Sequence, residues 1–174
     1  VDAKSNEITA IPKLLELIEI SGALVTIDAM GCQTEIAAKI VDAEADYCLA
    51  AKGKQPRLHE GLVAFLDDHL EDDVARYPVR RFETEENAHG REDLRSYLIC
   101  RVPEDLPDAH RWKNLKAIGI AINNTVRDGK MCIGIRYYIL SRYVSGRRFA
   151  DAVRSHWGVE NNLHWQLDVT FSED

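Results

Sequence analysis

The sequence predicts an α/β fold, with parallel strands and helices in its first half and a β-rich stretch after it. Three observations carry this. Short apolar runs alternate with helix-periodic segments up to about residue 73, the texture changes near Val74 to strands punctuated by turns, and one long helical pattern follows Ser145.

Thr9 reads as an N-cap, after which PKLLELIEI carries apolar residues at helical spacing and meets Ser21-Gly22, a stop signal. Ala23 to Ile27 reads as a short buried strand whose apolar run suits a parallel sheet covered on both faces, with Asp28 at its C-terminal end. CQTEIAAKIVDA is a helix, DYCLAA a second buried strand and PRLHEGLVAFLDDHL another helix. VARYPVRRFETEEN, REDLRSYLICRV, LKAIGIAINNTV and KMCIGIRYYIL then read as antiparallel strands, separated by turn signals such as Asn87-Ala88-His89-Gly90 and Arg127-Asp128-Gly129. SGRRFADAVRSHWGVENNLHWQLDV reads as a long helix capped by Ser145, despite Gly158 inside it.

At 174 residues the chain has room for one sizeable core, and its 45% hydrophobic and 29% charged residues are ordinary for a soluble globular protein. No run approaches the roughly 18 apolar residues of a membrane span, and the sequence opens on Val1 with no basic-then-apolar leader or small-residue cleavage site within it, so a membrane or secreted class is not expected and the chain is compatible with the inside of a longer protein. The four cysteines, Cys32, Cys48, Cys100 and Cys132, lack CxxC spacing, which points away from a zinc ribbon or disulfide framework and towards free thiols in a cytoplasmic protein. Net charge is −7, but it divides into −9 over residues 1–74, +6 over 75–154 and −4 over 155–174 with neutral histidines. A basic middle between acidic flanks can set a phosphate-attracting surface beside a cation-attracting carboxylate site; uneven surface charge is the plain alternative.

On the last helix His156, Glu160 and His164 fall at roughly 0°, 40° and 80° around the axis and share one stripe, which Trp157, Asn161 and Asp168 extend. Asp28, at the end of a parallel strand, is where open α/β sheets place their ligand sites. Together Asp28 and Glu160 suit a hard divalent ion such as Mg²⁺, which favours one or two carboxylates plus waters and phosphates. A strand-end cap and a solvated helix residue are the alternatives. HxxxExxxH also admits a mononuclear transition-metal site on His156 and His164. Trp157 and Trp165 read as core or interface residues, with stacking on an extruded base as the other option.

TIDAMGCQTEIAAKIVDAEADYCLAAKGKQ, the HGRED run at 89–93 and VRSHWGVENNLHWQLDVTFSED together closely resemble the H-repeat-associated, ISAs-type insertion-sequence transposases. The resemblance runs from KSNEI at 4–8 to FSED at 171–174. It implies a ribonuclease-H-like catalytic domain with a DDE acid triad, in which Asp28 is the second acid and Glu160 the third. Residues 1–73 and 141–174 would form the core of a single partial domain, and the β-rich stretch at about 74–140 would be its insertion. The implied activity is DNA strand cleavage and transfer at transposon ends, with Mg²⁺, or Mn²⁺ as substitute, in a two-metal arrangement. Arg80, Arg81, Arg91, Arg95, Arg147, Arg148, Arg154 and His156 are the candidate DNA contacts, with Trp157, Asn161 and His164 supporting the site.

Two departures matter. The family's first acid lies in an upstream Asp-Gly-Lys segment, and Asp2-Ala3-Lys4 does not replace it, because one helix alone separates it from the Asp28 strand. The broader Y-x2-R-x3-E-x6-K signature meets Val153, His156 and Leu167 here. With the triad incomplete, little or no catalysis is expected from this chain alone. The alternative is a non-enzymatic DNA-binding or self-associating remnant, since missing strands leave a sheet edge open. The expected setting is a bacterial cytoplasm, and a homo-oligomer is compatible with the reading.

Overall fold

LVTI and DYCLAA are short, apolar and separated by an amphipathic helix, the pattern that favours parallel pairing with a helical crossover. The computed structural model describes residues 7–71, 78–88, 91–127 and 129–166; of residues 7, 67–71, 88 and 159–166 it describes the backbone alone. In chain order the elements are α1 (Glu7–Leu17), β1 (Leu24–Ile27), α2 (Thr34–Asp42), β2 (Asp46–Ala51), α3 (Pro56–Glu71), β3 (Val79–Ala88), β4 (Arg91–Arg101), β5 (Ala117–Arg127), β6 (Lys130–Leu140) and α4 (Gly146–Gln166). A 3₁₀ turn at Ala109–Arg111 interrupts the connection from β4 to β5.

The strands form one six-stranded sheet in the order β1-β2-β6-β5-β4-β3. β1 and β2 are parallel, with Ile27 opposite Leu49, and every other pairing is antiparallel. The strand-rich stretch therefore continues the sheet, with β6 joined directly to β2 through Cys48–Leu140 to Ala51–Tyr137. Because β6 starts at Lys130 and meets β2 from Tyr137 on, its first residues and the hairpins beside them extend past the carboxyl ends of β1 and β2.

Alternation of side chains splits the core into two layers. Tyr47, Leu49, Ile118, Ile120 and Ile139 point to one face, where Ile36 and Ile40 of α2, Leu58 and Leu62 of α3 and the loop residues Leu106 and Trp112 cover them. Cys48, Ala50, Tyr97, Tyr138 and Leu140 point to the other face, against Phe149, Ala150 and Val153 of α4. α2 and α3, with Leu15 of α1 beside them, cover one face of the sheet and α4 covers the other.

The elements match their sequence signals closely, with two corrections. β1, expected to be buried on both faces, is half-buried along its whole length because it is an edge strand of the sheet. α1 begins at Glu7 and contains Pro12, so Thr9 lies inside the helix and does not cap it. The cause is packing: Ile11 reaches the Gly31 backbone and Leu15 is buried, which carries the apolar stripe through Pro12. Ser145 does cap α4, its Oγ accepting from the Arg148 amide at 3.2 Å. Ser141 closes the far end of the β2–β6 pairing, where its Oγ accepts from the Tyr47 amide at 2.9 Å and donates to Asp46 Oδ1 at 2.8 Å.

Candidate active site

Asp28 follows the last residue of β1, at the carboxyl end of the parallel pair. The chain turns sharply there. Asp28 Oδ1 accepts from the Met30 amide at 2.8 Å and the Gly31 amide at 3.3 Å, so the side chain closes an Asx-type turn and its carboxylate is held in place. Gly31 is required by this turn, since a Cβ there would lie 2.4 Å from Ile27 Cγ2 and 2.7 Å from Ile11 Cδ1. Both hydrogen bonds that Asp28 makes among the described residues fall on Oδ1, which leaves Oδ2 as the hard oxygen donor available to a cation.

The loop after β2 lies against the same turn, where Gln55 Nε2 donates to the Cys32 carbonyl at 3.2 Å. Burial, with a smaller contribution from the Asp28 charge, pushes the Cys32 thiol up to about 12. Cys32 is therefore a neutral packing group beside the turn.

α4 starts over β3, where a Cβ on Gly146 would meet the Arg81 carbonyl oxygen at 2.7 Å. From there it packs on β4 and β5 and reaches β1, so it crosses the sheet obliquely towards the Asp28 side. Phe149 sits over Gly119 of β5 and makes edge contacts with Tyr138 and Tyr97, at centroid distances of 5.4 and 6.2 Å. One turn beyond Val153 the helix carries His156 and Trp157, whose rings meet edge to face at 5.4 Å. Glu160, Asn161 and His164 lie on the same helix, on its stretch described by backbone alone. Asp168, Asp2-Ala3-Lys4 and His89-Gly90 fall outside the described residues. Among the described residues no three His, Cys, Asp or Glu gather into a metal-binding group.

The arginines singled out in the sequence separate into two kinds. Arg80 donates to the Val144 carbonyl at 3.0 Å and stacks 3.9 Å above Tyr143, so it fastens β3 to the start of α4. Arg91, Arg95 and Arg154 are held by acids. Asp93, almost wholly buried, accepts from Arg91 at 2.8 Å, Arg95 at 2.9 Å and the Thr125 hydroxyl at 2.6 Å. Burial alone would raise the Asp93 carboxyl, but these bonds and the two guanidinium charges bring it below its ordinary value. Glu86 binds Arg95 at 2.8 Å and also Arg154 of α4, and the hydrogen bonds from both hold its carboxyl low. Arg81 and Arg148 are exposed, and Arg147 lies 5.9 Å from the Phe82 ring.

Two cations that sequence reasoning passed over lie in a cavity of about 680 Å³ between α4 and the projecting hairpins. They are Lys52 and Arg136, and Arg136 lies 4.0 Å above the Trp157 ring. Lys52 belongs to the DYCLAAKGKQ segment, but what places it beside Arg136 is strand register, which no local pattern shows.

The family described as the transposase DDE domain matches residues 1–174. The chain is 44% identical to the Escherichia coli O157:H7 protein named "Putative transposase YncI", over 99% of this chain and 45% of that protein. It is 42% identical to "H repeat-associated putative transposase YhhI" of Escherichia coli K12, over 99% of this chain and 46% of that protein. The chain spans under half the length of these curated relatives. With Asp28 at a parallel strand end and the HWGVENNLHW helix crossing towards it, the match extends over the whole sequence, and the chain belongs to the DDE transposase domain family.

Proposed function

We propose that this chain is the part of a DDE transposase that supplies two carboxylates, Asp28 and Glu160, to a divalent-metal site for DNA strand cleavage and transfer. The observation that carries the reading is the approach of α4 to β1, which brings the helix bearing Glu160 towards the strand end bearing Asp28. The donor chemistry fits, since a turn-held aspartate with one oxygen turned away from its own amides is a hard-cation ligand. When bound, Mg²⁺ in such a site activates the attacking oxygen and offsets charge developing on the phosphate. The chain's own part is positional. Asp28 is fixed by the Met30 and Gly31 amides, and α4 is fixed by Phe149 on Gly119 and by Arg154 on Glu86.

The ribonuclease-H-like reading belongs to the same proposal. β1 ends the sheet, so one of its edges is unpaired among the described residues. A further strand carrying the first acid would join there, and without it this chain alone is expected to be catalytically inert. DNA transposon ends are the proposed substrate and a bacterial cytoplasm the proposed location; among the described residues no helix is long and apolar enough to cross a membrane. The same open edge favours a second reading, in which the chain acts without catalysis by binding DNA or its own copies through β1.

The test uses a full-length transposase carrying this segment. Asp28→Asn and Glu160→Gln should each abolish cleavage of a transposon-end duplex while leaving its binding within about threefold. Cleavage retained by either variant would remove that residue from the site.

A further inference from the structure

We propose that Lys52 and Arg136 form a phosphate clamp for the DNA backbone, placed in the cavity beside the Asp28 strand end. The inference rests on the reading above that DNA is the substrate, and it adds two residues, far apart in the sequence, that are not among the candidate DNA contacts.

Register places the pair. Ala50 faces Tyr138 and Ala51 faces Tyr137 across the β2–β6 ladder, so Lys52 and Arg136 are the next residues on the two strands, where β2 leaves the sheet. Ala50 and Tyr138 both point into the core under α4, and alternation sends Lys52 and Arg136 to that same face. β1 and β2 are parallel, so Lys52 emerges at the same end of the sheet as Asp28; continuing the register sets Asp28 opposite Ala50, and Lys52 stands two residues further on, about 8 Å away.

The charge state of the cavity distinguishes this pair from its neighbours. Lys52, Arg95, Arg136 and Arg154 all line it. Arg95 and Arg154 are already matched, to Asp93 and Glu86. Lys52 and Arg136 meet no carboxylate among the described residues, and Arg136 rests on the Trp157 face instead. Stacking on an indole restrains the guanidinium without neutralising it, leaving its N–H edge free for an oxyanion. Space is available, because Gly134 on the neighbouring stretch of β6 has nothing within 4 Å of where a Cβ would stand. Two cations without a carboxylate partner among the described residues, one of them pre-oriented, in an open cavity near a carboxylate turn are suited to a backbone phosphate of the strand being presented to that turn.

The test measures binding of a 20-base-pair duplex by the 174-residue chain at several salt concentrations in EDTA, so that metal and cleavage do not enter. Lys52→Gln and Arg136→Gln are compared with Arg57→Gln, a control on α3. Each cavity variant should weaken binding about tenfold at low salt and reduce the slope of log affinity against log salt by about 1, while Arg57→Gln leaves both unchanged. Urea midpoints should match wild type, since both side chains are exposed. Unchanged affinity and slope in the two cavity variants, with wild type binding normally, would overturn the clamp and leave the acid site untouched. Absence of duplex binding by wild type would overturn it as well, as would quenching of tryptophan fluorescence by inorganic phosphate with no effect of either substitution on duplex binding, which would mark a site for free anion only.

Discussion

The Phe149 ring of α4 occupies the space that a side chain on Gly119 of β5 would fill: a Cβ at position 119 would lie 2.6 Å from Phe149 Cζ. This contact seats the long helix on the sheet at its most buried point, since Phe149 is wholly buried beneath α4. Gly119→Ala should therefore lower stability by about 1–3 kcal/mol through overpacking, and Phe149→Ala by about 3–5 kcal/mol through the cavity it leaves. Urea unfolding followed by circular dichroism measures both. A neutral Gly119→Ala would mean the helix is free to shift.

The cap at Ser145 fixes where that helix starts. Ser145→Ala should cost about 1 kcal/mol, and Ser145→Asp should retain most of the stability, because a carboxylate accepts the Arg148 amide equally well. Thermal unfolding of the two variants side by side decides it.

Glu86 holds arginines from two elements, Arg95 from β4 and Arg154 from α4. Its carboxyl and that of Asp93 are lowered from ordinary values of 4.5 and 3.8. A lowered folded value means the unfolded chain binds the proton more readily, so the stabilisation is complete above the ordinary values and is lost as pH falls through the lowered ones. Glu86→Gln and Asp93→Asn should be less stable than wild type at pH 6 and show a shallower loss on acidification below about pH 4.5. Urea midpoints against pH give the answer, and parallel curves would remove the network from the acid response. Glu86→Gln should also raise duplex affinity about twofold at low salt, because Arg154 loses its competing acid while Arg95 keeps Asp93.

Thiol chemistry separates the cysteines. Burial pushes Cys32 and Cys100 up to about 12 and Cys48 further, whereas Cys132 is exposed on β6. A disulfide reagent should modify one thiol quickly in the native chain, and Cys132→Ser should abolish that fast phase. A second fast thiol would show that a buried layer opens.

Much of this arrangement was legible in the sequence, for physical reasons that differ by element. DYCLAA declares itself because a strand buried on both faces has no polar alternation, LVTI is a short, mostly apolar run although it is only half-buried at the sheet edge, and Asp28 is marked as the first charged residue after it. Ser145 is marked by the chemistry of capping. Thr9 misled because a capping residue type next to a proline imitates a helix start, while the Ile11 and Leu15 contacts that extend the helix are tertiary. The place of β6 beside β2 was not legible, since pairing partners ninety residues apart leave no local pattern. Lys52 and Arg136 were missed for the same reason. Arg80, by contrast, carries the expected charge but spends its hydrogen bonds on the Tyr143 and Val144 carbonyls, a use that sequence position does not reveal.

The most direct test of the central claim is a Mn²⁺ titration of the 174-residue chain followed by tryptophan fluorescence, because Trp157 lies one turn from Glu160 on α4 and Mn²⁺ quenches nearby indoles. Wild type should show saturable quenching that disappears in both Asp28→Asn and Glu160→Gln, meaning that the two acids converge on one metal. Quenching that persists in either variant, or none that saturates in wild type, would contradict a shared carboxylate site.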